Sequence, residues 1–390
     1  MNTEFTHVLL NGRTVALSLH QGRIAAIEPR PEPARHVAIP LPVDPHVHLD
    51  KTFTAGRCKS SKPGLFGAID AMETDMANWS EEDLRFRMGR ALKEASDNGI
   101  CALRSHVDWP GPQTPLAWHV LGELAQDWCR RVHVQRASLT PLDLLGDPDH
   151  GSRIAERVAS DGEVLGCFVY RNSRIEEWLE QVFALAARHG LRLDFHVDEG
   201  LEAEANAFDR IVALTARHRL AGRVLCGHAC SLSIRPEREV ARAAGAAAEA
   251  GVALVVLPTA NLWLQDSSYD RTPRMRGLAP VHEMRAAGVS VLFGSDNVAD
   301  PFYPFGSYDA VEVLRLASVS AQFDPAGWLD SITTRPTEAL GLDRPELVVG
   351  GRADFLLIEG CDWNEALRSP RARRQVVRTG EIEQDDRVAA

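Results

Sequence analysis

His46 and His48 stand two residues apart in Pro45-His46-Val47-His48-Leu49-Asp50-Lys51, behind the β-type run Val37-Ala38-Ile39-Pro40-Leu41-Pro42-Val43. Side chains alternate along a strand, so both imidazoles face one side. A neutral imidazole pair at a strand end is half of a divalent-metal site. Polar groups recur at the ends of later apolar runs: His106 and Asp108, then His196, Asp198 and Glu199, then His228, then Asp296 after Gly294-Ser295. Each alone has a bland reading, such as a structural histidine or an Asp capping a turn. Their joint occurrence in this order reads as a metal site. Imidazoles with a carboxylate bind zinc or iron and make hydroxide available near neutral pH, which is hydrolytic chemistry. The other nine histidines have no companion motif and read as surface or packing residues.

Such groups need strands to hold them. With the strand before His46, apolar runs at Ile100–Val107, Val132–Gln135, Val164–Val169, Leu191–Val197, Val224–His228, Val252–Leu257 and Val289–Gly294 make eight strand candidates. Helical stretches sit between them, including Glu81–Asn98, Arg174–His189 and Glu202–His218. Eight strand–helix alternations predict an α/β fold, a (β/α)8 TIM-like barrel, with chemistry at the C-terminal strand ends. The chain ends read differently. Short strands with turns at Asn11-Gly12 and Gln21-Gly22, and the run Phe355–Ile358 followed by a hairpin near Gly380, predict a small β-sandwich formed by both termini. The expected division is residues 1–43 with 344–390 for the sandwich, and 44–343 for the barrel.

Composition narrows the function classes. The net charge of −11 over 390 residues argues against nucleic acid and against anionic membranes, which need a basic face. No apolar run is long enough to span a bilayer, and the first residues lack the pattern of a secretory signal. Seven scattered cysteines without a CxxC pair fit reduced thiols, so a cytoplasmic protein is expected, with a homo-oligomer as its assembly.

The residues also carry a family resemblance. An HxH on the first barrel strand, a histidine on the fifth, a histidine on the sixth and an aspartate on the eighth resemble the amidohydrolase superfamily, and within it the cytosine deaminase-like group. The matching pieces are Pro45–Asp50, Thr54-Ala55-Gly56, His196–Glu199, Gly227-His228, Asn261-Leu262-Trp263-Leu264-Gln265, Arg276-Gly277-Leu278, and Phe293–Asn297 through Asp300–Gly306. His48-Leu49-Asp50-Lys51 with Phe53 is also similar to N-isopropylammelide amidohydrolase, which removes an alkylamine. The resemblance implies that His46, His48, His196 and Asp296 hold one divalent metal ion, zinc or iron. It implies that Glu199 shuttles protons, that His228 contacts the developing oxyanion, and that Asp296 takes a proton from water. A lysine-bridged metal pair is excluded, because no lysine follows Lys93. Lys51 is expected to pair with an acidic neighbour.

The activity implied is hydrolytic deamination of a small nitrogen heterocycle, with hydroxide attacking the ring carbon and ammonia leaving. Amino-pyrimidines, amino-triazines and cyclic amidines are the candidates. The positions that read the ring depart from the cytosine pattern. No glutamine follows the third strand, Asn297 stands where a second aspartate is usual, and Phe302 replaces a tryptophan. Selectivity is therefore expected to move away from cytosine, with Asn297, Phe302 and Trp109 as candidate substrate contacts. The alternatives are a cyclic amide or imide hydrolase, or one releasing an N-alkylamine. A non-catalytic scaffold of this fold would be expected to have lost a ligand or Glu199.

Overall fold

The computed structural model describes residues 2–344 and 346–383. Four strands open the chain: β1 (Asn2–Leu10), β2 (Arg13–His20), β3 (Arg23–Pro29) and β4 (His36–Pro40). The β1–β2 and β2–β3 hairpins turn through Asn11-Gly12 and Gln21-Gly22, all with φ between 48° and 77°. Two successive positive-φ residues twist a two-residue turn to match its strands, which is why Asx-Gly and Xaa-Gly pairs mark such turns.

The next eight strands are parallel: β5 (Val43–Val47), β6 (Ala102–Asp108), β7 (His133–Pro141), β8 (Leu165–Val169), β9 (Leu193–Val197), β10 (Val224–His228), β11 (Ala253–Val256) and β12 (Ser290–Phe293). They pair in sequence order into one sheet with helices between successive strands, and it closes on itself where Val47 bridges Asp296. This is the expected (β/α)8 barrel. Its strands are buried on both faces, so they appear in the sequence as continuous apolar runs. Each expected barrel strand is present. The third runs six residues further than its apolar run, to Pro141, because Arg136, Ser138 and Thr140 are buried polar positions within it. Arg136 is paired with Glu163 at 2.9 Å.

One helix starts later than expected. The segment read as Glu202–His218 is helical only over Ala207–His218. The two oxygens of Asp198 accept the Ala207 and Phe208 amides at 3.2 and 3.0 Å, which caps the helix there and leaves 200–206 as loop.

The chain ends in β13 (Phe355–Glu359), β14 (Arg374–Arg378) and β15 (Glu381–Ile382), which join the first four strands in the order β15-β14-β13-β4-β1-β2-β3. The seven-stranded sheet curls around its own core, including Leu17, Ile24, Phe355, Leu357 and Val377. The β3 edge meets the turn before β13 where the Ile24 amide donates to the Gly351 carbonyl at 3.0 Å. Both termini therefore build one β-rich layer beside the barrel.

Candidate active site

The barrel closure positions the first candidate ligands. Asp44, on β5, is buried, and its carboxylate accepts the amides of Ser295 at 3.2 Å and His46 at 3.3 Å. The Asp296 amide donates to the His46 carbonyl at 2.9 Å. The ends of the first and eighth strands are thus tied together through backbone. Asp296, His228 and Asp198 all have positive φ, at 59°, 70° and 48°. Left-handed backbone at non-glycine residues is strained and persists only where surroundings enforce it. A Cβ on Gly227 would lie 3.0 Å from His46 Cε1, so glycine there lets the ring sit without being pushed aside.

The four expected ligands converge. His46 Nε2 lies 3.0 Å from His196 Nε2, and His196 Nε2 lies 3.1 Å from His48 Nε2. Asp296 Oδ1 is 3.1 Å from His48 Nε2 and 3.5 Å from His46 Nε2. All four side chains are buried, and neither Asp296 oxygen has a hydrogen-bond partner. Burial pushes Asp296 well above the usual carboxylate range, and Glu199 and Asp300 push the same way. Burial also holds all three imidazoles well below their ordinary value, so they are neutral. Three neutral imidazole nitrogens and an unpartnered buried carboxylate within this spacing fit a divalent cation, whose ligands sit about 2.0–2.2 Å from the ion.

A second cluster, His46, His106 and Asp194, is also buried. There Asp194 is held by Arg104 Nη1 at 2.7 Å, a fixed positive charge that disfavours a cation.

Glu199 and His228 stand beside this centre, with Glu199 Oε1 3.6 Å from His228 Nδ1. Burial raises the Glu199 carboxyl to about 8; Lys51 opposes the shift and Glu202 adds to it. Burial lowers His228 to about 3, so its ring is neutral. Both are anchored from the short helix Pro258–Leu264 and the residue after it. The Asn261 side-chain amide donates to His228 Nδ1 at 2.9 Å, which leaves Nε2 as the N–H donor. Gln265 donates to the Glu199 carbonyl at 2.5 Å. The sequence showed Asn261 and Gln265 only as pieces of a family motif; their spacing on one helical face is the signal for this anchoring.

A cavity of about 340 Å³ opens above these groups and takes in His48, His196, Glu199, His228 and Asp296. Asn297, Phe302 and Trp109 line it as well. Trp109 is almost wholly buried and packs edge-on against Trp118 at 5.2 Å, so most of its surface is core. The Asn297 amide nitrogen donates one hydrogen to Asp300 Oδ2 at 2.7 Å, which fixes the amide and leaves a second N–H besides its oxygen. Lys51 reaches His48 Nδ1 at 3.0 Å and pairs with Asp108 Oδ1 at 2.6 Å. Burial opposes its charge, but Asp108 and Asp50 outweigh that and raise it. Helix Gly64–Met76, which the strand–helix reading did not single out, covers the cavity with Leu65, Ile69, Met72 and Met76.

A closed parallel barrel with three histidines and an aspartate at its strand ends, and a buried acid alongside, defines a metal-dependent hydrolase. The chain belongs to the amidohydrolase family, whose profile matches residues 90–383. That match begins beyond His46 and His48, so these two candidate ligands rest on the structure. The chain is 36% identical over 351 residues to a pterin deaminase from Rhizobium rhizogenes, covering 88% of this chain and 79% of that one. Its fold is that of 5-methylcytosine deaminase from Klebsiella pneumoniae, solved with 5-fluorocytosine (TM-score 0.87, 22% identity, 98% and 97% of the two chains). It is similarly close to N-isopropylammelide isopropylaminohydrolase from Burkholderia multivorans (TM-score 0.81, 26% identity, 97% of each chain).

Proposed function

We propose that this protein is a metal-dependent hydrolytic deaminase of a small nitrogen heterocycle that releases ammonia. The observation that carries it is the buried convergence of His46, His48, His196 and Asp296 at the floor of the cavity that Glu199 lines. One divalent ion, zinc or iron, held by those four residues would supply Lewis-acid activation of water near neutral pH. Every other step falls to side chains. Glu199, neutral in its dry pocket, protonates the ring nitrogen next to the carbon that bears the amine, which makes that carbon electrophilic. Asp296 takes a proton from the attacking water. The Nε2–H of His228 donates to the oxygen as negative charge develops there. Asp296 then gives its proton to the amine, the C–N bond breaks and ammonia leaves, while the proton of the added hydroxyl returns to Glu199 and the ring keeps a carbonyl.

The relationship to a pterin deaminase puts amino-pteridines first among the candidates, ahead of amino-pyrimidines, amino-triazines and cyclic amidines. A cavity of about 340 Å³ with a helical apolar cover also suits a ring larger than cytosine. Seven free thiols support a reducing, cytoplasmic setting. Exposed Trp263, Tyr269 and Phe305 support a homo-oligomer. Among the described residues no helix is long and apolar enough to cross a membrane. The terminal segments 1–43 and 344–390 are proposed as a unit separate from the barrel at 44–343, supported by their shared sheet; Met1, Pro345 and residues 384–390 of that division lie outside the described residues. The test is ammonia detection with a panel of these heterocycles on metal-loaded protein. Release from at least one supports the reading. Opening of a cyclic amide without ammonia would replace it with the second class.

A further inference from the structure

Lys51 is the only lysine or arginine among the residues that line the cavity. Its side chain is 4% exposed, and among the described residues Nζ meets two acceptors, His48 Nδ1 at 3.0 Å and Asp108 Oδ1 at 2.6 Å. An ammonium carries three N–H groups, so one remains, with the cavity beside it. Phe302, whose ring centre lies 5.4 Å from Nζ, lines that wall too. Metal binding frees a second N–H. His48 Nε2 is the atom that faces His196 Nε2 and Asp296 Oδ1, at 3.1 Å from each. An ion held there takes the Nε2 lone pair, so the ring hydrogen sits on Nδ1. Nδ1 then no longer accepts, and Lys51 keeps Asp108 alone. A buried ammonium with two unmet N–H groups is costly unless an acceptor arrives. A ring that fills the cavity displaces the solvent that could serve them, so the ring itself must bring that acceptor.

We propose that Lys51 contacts the substrate directly and donates to an oxo oxygen on its ring, so that the substrate is an amino-oxo heterocycle. The proposal deepens the heterocycle-deaminase reading and rests on it. Hydrogen bonds from an ionised donor are roughly twice as strong as neutral ones, and an oxo oxygen, with two lone pairs, is the strongest neutral acceptor on such a ring. Asp108 holds the ammonium in place and is itself fixed, its amide donating to Asp50 Oδ2 at 2.9 Å. A ring with an amino group in place of the oxo would set donor against donor.

Pterin and 2,4-diaminopteridine are matched probes, as are cytosine and 4-aminopyrimidine; in each pair only the first carries an oxo group. Dissociation constants are measured by calorimetry on metal-loaded Glu199→Gln protein, which holds a ring without turning it over, with and without Lys51→Met. At least one oxo ring should bind, at least about tenfold more tightly than its partner, the usual effect of a hydrogen bond to a charged group. Lys51→Met should bring that pair within about threefold, by weakening the oxo ring, with metal content unchanged. If the unpaired Asp108 stops this variant folding, Lys51→Met with Asp108→Asn removes both charges and carries the same expectation. No binding of either oxo ring, no preference for the oxo member, or a preference that survives the loss of Lys51 would overturn the proposal. So would variants that weaken both members of a pair equally, lose their metal, or fail to fold in both forms, which marks Lys51 as structural. Oxo rings held through Lys51, with no ammonia from any heterocycle on wild-type protein, would keep the recognition and sink the deaminase reading instead.

Discussion

The Asp296 amide donates to the His46 carbonyl at 2.9 Å, so the bond that closes the barrel also places two metal-ligand candidates against each other. Fold and site share this joint. The Asp44 carboxylate clamps it by accepting from Ser295 and His46.

Asp44→Ala removes that clamp and leaves two buried amides without an acceptor. At roughly 1–3 kcal/mol each, the variant should lose about 2–6 kcal/mol of stability. It should also lose metal faster on dialysis than the wild type. Denaturant unfolding and elemental analysis on the same preparation check both effects.

The metal site should hold one equivalent of divalent ion per chain after gentle dialysis. Asp296→Asn should lose both affinity and turnover. Chelation should lower the Tm of the wild type, because an ion bound only to the folded state stabilises it by mass action. Two equivalents, both required for turnover, would defeat the single-ion assignment.

Glu199→Gln should keep its metal and lose turnover by at least about a hundredfold, the usual range for a positioned acid–base group. A glutamine can hydrogen-bond the ring but cannot deliver a proton. Near-wild-type rates in this variant would remove Glu199 from the mechanism.

The pH profile follows from the same residue. Glu199 titrates near 8 in the fold, raised chiefly by burial from an ordinary 4.5. A group that must donate works below its pKa, so kcat/KM should fall as pH rises through about 8. The stability it contributes is fully present below about 4.5 and is lost as pH rises through 8, because the unfolded chain gives up that proton first. Unfolding measured across this window should show less pH dependence in Glu199→Gln than in the wild type.

Phe355 is fully buried in the core of the terminal sheet. Phe355→Ala should cost about 3–5 kcal/mol while leaving metal stoichiometry intact, if that sheet is a unit apart from the catalytic barrel. Loss of metal from folded Phe355→Ala protein would count against the division.

Much of this architecture is legible in the sequence because parallel barrel strands are buried on both faces. Their apolar runs stand out, and the polar residues that end them are the ones the cavity uses. The terminal hairpins are legible from Asn11-Gly12 and Gln21-Gly22, whose residue types suit positive φ. What pattern reading misses depends on contacts distant in sequence. The later start of the helix at Ala207 is set by Asp198, on a preceding strand end. The tautomer of His228 is set by Asn261. Asn297 has donor and acceptor ends in sequence, and only its contact with Asp300 fixes how the amide is turned. The partner of Lys51 is visible only once the end of β6 is seen to bring Asp108 against it.

The most direct test is ammonia release from amino-pteridines, amino-pyrimidines and amino-triazines by one preparation in three states: as isolated, after chelation, and after zinc or ferrous iron is restored. The account predicts hydrolytic release from at least one ring, lost on chelation and recovered with about one equivalent of metal. Release that survives complete removal of metal, or none from any ring by the reloaded protein, would contradict it.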